Sequence, residues 1–399
     1  MASPKRPRSA IALTTGLLAL GMMLGPSPAY ALDNGVARTP PMGGNSWNAF
    51  GCEIDQWKIR DIADVMVRMG LRDAGYVYLN VDDCWQAPHR RPNGELTWDK
   101  KRFRDGIPAL VRYVHSRGLK FGIYGAPGKR GCAQWHGNYP GASGSMGHEY
   151  QDARTFARWG VDYLKYDWCG AHENGLVGES AFTLMRNTLQ ATGRPIVYSI
   201  HYDPEQPVRS WYPRVANMWR TTNDINDNWN SVAWIALVTL PIAHYALPGA
   251  WNDPDMLEIG NGGLSYAESV SHMTLWSMLA APLLLGNDLR TMATKDASIV
   301  KNPTVLRINQ DRRGKAAHRV KQFPHLVLDR SLTNGEWAVS FTNFASQPWR
   351  LQVTLRELGL AGQWTFHEAF SGRRGTVTHE LAETVVGHGS RLYLLRPVR

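Results

Sequence analysis

The sequence predicts a (β/α)₈ barrel followed by a C-terminal antiparallel β-sandwich domain. Three observations support this prediction. A helical period that ends at a glycine and leads into an apolar strand recurs four times in the first half of the chain. Aspartates directly follow several candidate strands. After about Asn309, short and often alternating segments are joined by turn residues such as Asn334-Gly335, which is typical of antiparallel strands.

The four repeated units predict crossover helices between parallel strands. In the first unit, apolar residues from Ile59 to Met66 share one helical face, Gly70 ends the helix and strand 76–81 follows. This alternation indicates a parallel sheet covered on both faces, either open and doubly wound or closed into a barrel. No glycine-rich phosphate loop follows the early strands, which disfavours a dinucleotide-binding fold. The other units combine helical positions 107–114, 153–157 and 182–189 with Gly118, Gly160 and Gly193 and with strands 120–124, 161–166 and 196–200.

Acidic residues at the strand ends favour the closed barrel, because a (β/α)₈ barrel builds its active site at that edge. An isolated aspartate after a strand is more often a helix cap than a catalytic group. Several such residues, brought together by closure of the sheet, make the helix-cap interpretation less favoured. The strand-end acids are Asp82, Asp83, Asp167, Asp224, Asp253 and Asp255.

The first 31 residues have the layout of a secretory signal peptide. Basic residues precede an apolar run from Ala10 to Leu24, and Ala29-Tyr30-Ala31 supplies a small-residue cleavage site. A membrane anchor is the alternative, but the run is shorter than the roughly 20 residues that a spanning helix needs. We therefore expect a secreted protein with no membrane association after cleavage, a barrel over residues 32–308 and the β-domain over 309–399.

Charge and cysteine content limit the partners. The formal net charge of +10 is spread along the chain without a basic run, so we expect no nucleic-acid partner. An even number of cysteines in an exported protein indicates two disulfides. A metal site is the competing explanation, but no Cys-x₂-Cys or His-Glu-x-x-His spacing is present, so we expect neither metal nor cofactor. The cysteines are Cys52, Cys84, Cys132 and Cys169.

Aromatic residues interleave with the strand-end acids. Sugar rings present flat C–H faces to aromatic rings, while charged groups take their hydroxyls, so this pattern favours a neutral carbohydrate ligand. Glycoside hydrolysis itself needs two carboxyl groups, one to protonate the leaving oxygen and one to attack the anomeric carbon. About half of the aromatics are expected in the core instead. They are Trp47, Trp85, Tyr124, Tyr166, Trp168, Tyr202, Trp219 and Trp251.

Six motifs, in order over roughly residues 36–320, resemble those of glycoside hydrolase family 27, the α-galactosidase and α-N-acetylgalactosaminidase family. Each motif alone would be weak, but the ordered set is specific. The motifs are Thr39-Pro-Pro-Met-Gly43 with Asn45-Ser-Trp47, Asp82-Asp-Cys-Trp85, Leu164-Lys-Tyr-Asp167, Trp219-Arg220 with Asp224, Trp251-Asn-Asp-Pro-Asp-Met256, and Ile308-Asn-Gln-Asp311.

The resemblance implies a retaining exo-glycosidase that removes terminal α-D-galactosyl residues through a covalent glycosyl-aspartate. Asp167 matches the family nucleophile and Asp224 the general acid/base. The disulfide pairs implied are Cys52 with Cys84 and Cys132 with Cys169. The positions that match sugar-binding residues are Trp47, Asp82, Asp83, Tyr124, Lys165, Arg220 and Asp255.

These roles set charge requirements. Lys165, two residues before Asp167 on the same side of a strand, favours the ionised nucleophile. Asp224 must be protonated when substrate arrives, so we expect its pKa to be raised by neighbouring negative charge and by desolvation. We expect Arg220 to contact the sugar 2-hydroxyl rather than to pair tightly with Asp224.

The sequence departs from the family pattern in two places. Gly44 replaces the first tryptophan of the usual Met-Gly-Trp-Asn-Ser-Trp, which we expect to remove an aromatic ring from near the sugar pocket. After the fifth strand, Ile200-His-Tyr-Asp203 stands where the family commonly has Cys or Glu and Trp. This loop reads the sugar 2-position in the family, so His201 is a further candidate for substrate binding.

Two kinds of alternative function remain open. Within the family, these are β-L-arabinopyranosidase, α-N-acetylgalactosaminidase and isomaltose-releasing dextranase activities. Arabinopyranosidases tend to have glutamate where this chain has Asp82, which disfavours the first. The other alternative is a non-catalytic sugar-binding barrel, which the presence of both Asp167 and Asp224 disfavours.

Overall fold

A computed structural model of the chain describes residues 32–141, 143–202 and 208–398. The predicted signal peptide therefore lies outside the described residues. The first eight strands form one parallel sheet in which the first seven pair in chain order and the first also pairs with the eighth. These strands are β1 (Met42–Asn45), β2 (Tyr78–Asn80), β3 (Lys120–Gly125), β4 (Tyr163–Asp167), β5 (Val197–His201), β6 (Met218–Arg220), β7 (Trp251–Asp253) and β8 (Leu283–Leu285).

An isolated parallel bridge completes the ring. Leu257, a few residues after β7, pairs with Leu285 of β8, where its backbone N–H donates to the carbonyl of Leu284 at 2.7 Å. Strand β8 thus pairs with β1 on one side and is bridged to the segment after β7 on the other. The predicted (β/α)₈ barrel is confirmed, and the strand-end residues meet at one edge.

Helices cover the outside of the ring. The second of them begins at Asp55, whose carboxylate accepts the backbone N–H groups of Trp57 and Lys58, and it buries the predicted apolar face from Ile59 to Met66. The helices are α1 (Trp47–Phe50), α2 (Gln56–Arg68), α3 (Ile107–Ser116), α4 (Cys132–Trp135), α5 (Glu149–Trp159), α6 (Gly178–Ala191), α7 (Tyr212–Val215), α8 (Trp229–Thr239), α9 (Tyr266–Met278), α10 (Thr294–Val300) and α11 (Pro303–Asn309). Short 3₁₀ helices occupy His172–Asn174, Leu240–Tyr245 and Thr333–Gly335.

Antiparallel strands form the C-terminal part of the chain. A six-stranded sheet has the order β14-β13-β16-β11-β10-β9, and β12 pairs with β15 in a two-stranded sheet. Side chains of both sheets, including Phe341, Val353 and Leu381, share one apolar core, as in a β-sandwich. The strands are β9 (His318–Lys321), β10 (His325–Ser331), β11 (Trp337–Asn343), β12 (Trp349–Thr354), β13 (Trp364–Glu368), β14 (Arg374–Val377), β15 (Glu380–Val385) and β16 (Ser390–Pro397).

Helix α9 packs between the barrel and the antiparallel sheet. Every residue from Ser269 to Met278 is buried, because strands β10, β11 and β16 cover its outer side. Arg330 of β10 is fully buried there and donates from Nη1 to the carbonyl of Ser277 at 2.6 Å. No helix in the described ranges is long and apolar enough to cross a membrane.

Candidate active site

Closure of the barrel collects polar side chains at the C-terminal ends of six strands. They come from parts of the chain that are up to about two hundred residues apart, and most of them are buried. Some of these residues are register partners on adjacent strands, as Asp167 of β4 is with His201 of β5. The strand-end residues are Asn45, Asp82, Lys165, Asp167, His201, Arg220 and Asp253, with Asp83, Asp224 and Asp255 in the loops that follow.

Asp167 is held as a carboxylate. Its Oδ1 lies 2.8 Å from Nδ1 of His201, and its Oδ2 lies 3.9 Å from Nζ of Lys165. Burial alone raises the pKa of Asp167, but the charge and hydrogen bond of His201, together with Lys165 and Arg220, outweigh it and hold the pKa well below its ordinary value. An ionised carboxylate in this position is chemically competent as a nucleophile.

Asp82 and Lys165 form a buried ion pair beside Asp167. Nζ of Lys165 donates to Oδ2 of Asp82 at 2.9 Å, and Nδ2 of Asn45 donates to the same oxygen at 2.8 Å. Burial lowers the pKa of Lys165, but the attraction of Asp82, Asp167 and Asp224 outweighs it, so Lys165 stays charged. The pair places an ammonium donor and carboxylate acceptors side by side for a polyhydroxylated ligand.

Asp83 faces the backbone of the neighbouring loop. Its Oδ1 accepts the N–H of Cys84 at 2.7 Å, and its Oδ2 accepts the N–H of Ala133 at 2.8 Å. Burial raises the pKa of Asp83 to about 7 despite these hydrogen bonds. Tyr124, fully buried, accepts the N–H of Cys132 on its hydroxyl at 3.1 Å. Asp83 and Tyr124 therefore fix the start of α4 against the site.

Two disulfides brace the same loops. Cys52 is bonded to Cys84, and Cys132 is bonded to Cys169. Both predicted pairings are confirmed. The second bond ties α4 to the segment that follows Asp167, so the loops after β3 and β4 are covalently joined.

Arg220 pairs with two aspartates, which corrects our expectation that it would not pair with Asp224. Its Nη2 lies 2.7 Å from Oδ2 of Asp255, and its Nη1 lies 3.1 Å from Oδ1 of Asp224. Partial burial raises the pKa of Asp224, but Arg220, His201 and Lys165 together lower it below its ordinary value. The expected increase is wrong for the ligand-free site, because the attraction of neighbouring groups, Arg220 first among them, outweighs the effect of burial. Since 68% of the Asp224 side chain is exposed, solvent screens these attractions.

Asp255 connects the β7 end to the loop that carries Asp224. Its Oδ2 accepts the N–H of Ile225 at 2.8 Å, and its Oδ1 accepts the N–H of Met256 at 2.8 Å. Its own φ is +81°, in the left-handed region that few non-glycine residues adopt. The strain is retained where it aims the carboxylate at Arg220 and Ile225.

Most of the aromatic residues belong to the core. Of the eight named from the sequence, six are buried, which is more than the half expected. Trp85, for example, donates from Nε1 to the carbonyl of Tyr124 at 2.9 Å. Trp47 and Tyr202 are half-buried, and the Tyr202 ring packs against those of Trp168 and Phe182. Asp203, which was considered with the β5 loop, lies outside the described residues.

Gly44 faces away from the sugar pocket, contrary to our expectation. Asn45 faces the barrel interior toward Asp82, so the preceding residue faces outward by strand alternation. A Cβ on Gly44 would be 3.6 Å from Cδ1 of Leu289, in a small cavity also lined by Ile62 of α2. A tryptophan ring at this position would therefore lie between the barrel strands and the helices, and its absence leaves the sugar pocket unchanged.

The sequence analysis assigned no role to three polar residues at or near the site. Asn45 belongs to the Asn45-Ser-Trp47 motif, and its position two residues before Trp47 could have indicated a role at the site. Asp253, whose pKa burial raises to about 6, was noted only as a strand-end residue. Glu258 accepts hydrogen bonds from Asn48 and Asn261, and nothing in its sequence context distinguished it. Within the described ranges, no three His, Cys, Asp or Glu side chains are arranged to hold a metal ion.

Known proteins resemble this chain over both parts of the fold. The family model described as "Alpha galactosidase A" matches residues 39–311, and "Alpha galactosidase C-terminal beta sandwich domain" matches residues 324–395. An α-galactosidase of Cyamopsis tetragonoloba is 40% identical over 374 residues, covering 92% of this chain and 89% of that protein. An α-N-acetylgalactosaminidase of Gallus gallus is 39% identical over 367 residues, covering 86% and 89%. The crystal structure of α-galactosidase I from Mortierella vinacea superposes with a TM-score of 0.83 at 31% identity, covering 92% of this chain and 98% of that one.

Proposed function

The chain belongs to the α-galactosidase family of glycoside hydrolases, family 27, and we propose that it hydrolyses terminal α-D-galactosyl residues with retention of configuration. One observation carries the proposal. Asp167 is an ionised carboxylate with one oxygen held by His201, beside a second acidic group, Asp224, that is open to solvent. A retaining glycosidase needs such a pair, one carboxyl group as nucleophile and the other as acid and base.

The proposed first step transfers the sugar to the protein. Oδ2 of Asp167 attacks the anomeric carbon while the bond from that carbon to the glycosidic oxygen breaks. Asp224 gives its proton to the departing oxygen, and a glycosyl ester of Asp167 results. In the second step, Asp224 takes a proton from water, the water oxygen attacks the anomeric carbon and Asp167 is released. Two inversions give net retention.

Arg220 has to release Asp224 for this step, because Asp224 must be protonated when substrate is bound. In the ligand-free site, Nη1 of Arg220 faces Oδ1 of Asp224. A sugar hydroxyl that accepts a hydrogen bond from Nη1 would compete for that contact and shield the charge. The Arg220 guanidinium stays anchored through Asp255 while its other nitrogen changes partner. Arg220 would thereby couple sugar binding to protonation of the acid.

Galactose is the sugar that the proposed site favours. Asp82 and Lys165 offer an acceptor and a donor for adjacent hydroxyls, and Trp47 is the proposed aromatic wall. Asp83 and Tyr124, both buried, support this side of the pocket by holding the start of α4. An epimer with a misplaced hydroxyl would leave a buried carboxylate without the hydrogen bond that the correct sugar supplies. Such a loss makes the discrimination between epimers large. His201 and Asp255 complete the proposed sugar-binding set. Secretion is part of the same proposal: residues 1–31 would direct export, and two disulfides fit an oxidising compartment.

Relative rates on three aryl glycosides test the substrate. We expect kcat/KM for the α-D-galactoside to exceed that for the α-D-glucoside and the β-L-arabinopyranoside at least about a hundredfold, a conservative floor for polar discrimination. Asp82→Ala should remove most of this preference, whereas the control Asp73→Ala, at an exposed surface ion pair, should leave it intact. Equal rates on galactoside and either other sugar would refute the α-galactosidase assignment. Faster hydrolysis of the α-N-acetylgalactosaminide would assign that activity instead.

A further inference from the structure

His201 departs from the residues that the family commonly has after the fifth strand, and it makes the shortest polar contact of Asp167 among the described residues. Nδ1 of His201 lies 2.8 Å from Oδ1 of Asp167. The two residues are direct partners in the register of β4 and β5, so their side chains leave the sheet on the same side. The contact is thus built into the barrel itself and does not depend on a loop.

The protonation of this contact follows from the chemistry of its partners. An ionised carboxylate can only accept, so Nδ1 of His201 must carry a hydrogen. Nε2 of the same ring is buried and has no hydrogen-bond partner among the described residues. The two nitrogens therefore have different surroundings: Nδ1 contacts Asp167, and Nε2 has no partner among the described residues.

The two oxygens of Asp167 differ in consequence. Oδ1 receives the His201 hydrogen bond, whereas the ammonium of Lys165 is 3.9 Å from Oδ2, beyond hydrogen-bond distance. Lys165 instead donates to Asp82 at 2.9 Å. A hydrogen bond to one oxygen fixes the rotation of the carboxylate and leaves the other oxygen as the better nucleophile.

We propose that His201 is a positioning residue for the nucleophile: its Nδ1–H holds Oδ1 of Asp167 and thereby presents Oδ2 to the anomeric carbon. This inference rests on the proposed function, in which Asp167 attacks the sugar. It gives His201 a role beyond recognition of the sugar 2-position. A chain with cysteine at this position would lack an equivalent strong donor to the carboxylate.

Two amide substitutions separate the two ring nitrogens. The side-chain nitrogen of asparagine occupies the place of Nδ1, and that of glutamine occupies the place of Nε2. His201→Asn therefore keeps the donor to Asp167, His201→Gln moves it, and His201→Ala removes it. The substrate is 2,4-dinitrophenyl α-D-galactoside, whose leaving group needs no proton from Asp224, so kcat/KM reports attack by Asp167.

We expect His201→Ala and His201→Gln to lower kcat/KM about 10- to 100-fold, as for loss of a hydrogen bond to a charged group. His201→Asn should stay within about threefold of the unmodified protein, because the donor is retained. The control is His115→Ala, which removes a histidine–aspartate contact on the outer helix α3 and should leave kcat/KM unchanged. Thermal unfolding of all variants separates a loss of stability from a loss of rate.

Each other pattern overturns the positioning role. Rescue by glutamine and not by asparagine would make Nε2 the functional atom, and equal losses in all three variants would make His201 a structural residue only. Unchanged rates in all three would show that Asp167 needs no such contact. Failure of the unmodified protein to hydrolyse any α-galactoside is a different result, and it would reject the proposed function itself.

Discussion

Nη2 of Arg220 lies 2.7 Å from Oδ2 of Asp255, and only 4% of each side chain is exposed. Asp255 also accepts the backbone N–H of Ile225, next to Asp224. The pair thus joins the ends of β6 and β7 to the loop that carries the proposed acid. Burial of two charges without their partners is unfavourable, so each side chain depends on the other.

Asp255→Ala should lower the free energy of unfolding by about 3–5 kcal/mol, because it leaves the Arg220 guanidinium buried without its main counter-ion. The matched control is Asp288→Ala, which breaks a pair with Arg290 whose side chains are 23% and 33% exposed. That loss should stay below about 1 kcal/mol, as for surface pairs. Urea unfolding measures both, and similar losses would show that the Arg220–Asp255 pair does not stabilise the fold.

Asp224→Ala should slow poor leaving groups far more than activated ones. Methyl or sugar leaving groups need a proton, and general acid catalysis contributes roughly 10²–10⁴-fold, whereas a dinitrophenolate departs without help. The measurement is kcat/KM for an unactivated and an activated α-galactoside. A uniform loss on both substrates would count against the acid role of Asp224.

Arg220→Gln should move the alkaline limb of the kcat/KM profile to higher pH. Arg220 lowers the pKa of Asp224, so removal of its positive charge raises that pKa and keeps the acid protonated further up the pH scale. The overall rate should also fall, since Arg220 is a proposed sugar ligand, but the position of the limb is the relevant quantity. A pH profile in which kcat/KM falls at every pH, with the alkaline limb at the same position, would show that Arg220 does not set the pKa of Asp224.

Glu258→Gln should weaken the decline in stability between mildly acidic and neutral pH. Burial raises the pKa of Glu258 from 4.5 to about 7, so in this interval the folded chain binds a proton that the unfolded chain has lost. The free energy of unfolding therefore falls as pH rises from about 4.5 to about 7, by up to about 3 kcal/mol from this group.

The control for this substitution is Glu380→Gln, at an exposed position of β15. Thermal unfolding across pH 4–8 should give a flatter curve for the Glu258 variant and an unchanged curve for the control. Some decline should persist, because burial also raises the pKa values of Asp83 and Asp253. Parallel curves for the Glu258 variant and the unmodified protein would show that Glu258 does not hold an extra proton in the folded chain.

The barrel could be predicted from its first half, where long helices and the glycines that follow them repeat. Its second half gives a weaker signal: β6, β7 and β8 contain three residues each, too few for a period to appear. The acids of the site could be recognised in the sequence because they come directly after apolar strands. In a (β/α)₈ barrel, the C-terminal ends of the strands form the active-site edge.

The charge pattern of the site could not be predicted, because it depends on side-chain directions. The pairing of Arg220 with Asp224 and Asp255 requires a loop to return and Asp255 to adopt a left-handed φ. The direction of Gly44 depends on the phase of β1, which a four-residue strand does not reveal. The contact between His201 and Asp167 depends on the register of β4 and β5.

Covalent trapping tests the central claim, that Asp167 is the nucleophile of a retaining α-galactosidase. With 5-fluoro-α-D-galactosyl fluoride, the good fluoride leaving group allows attack, while the ring fluorine slows hydrolysis of the ester, so a glycosyl enzyme accumulates. Peptide mass spectrometry should find the fluorosugar on Asp167, and Asp167→Asn should remain unlabelled. A sugar ester on a different carboxylate, or an active enzyme that never carries one, would contradict the account.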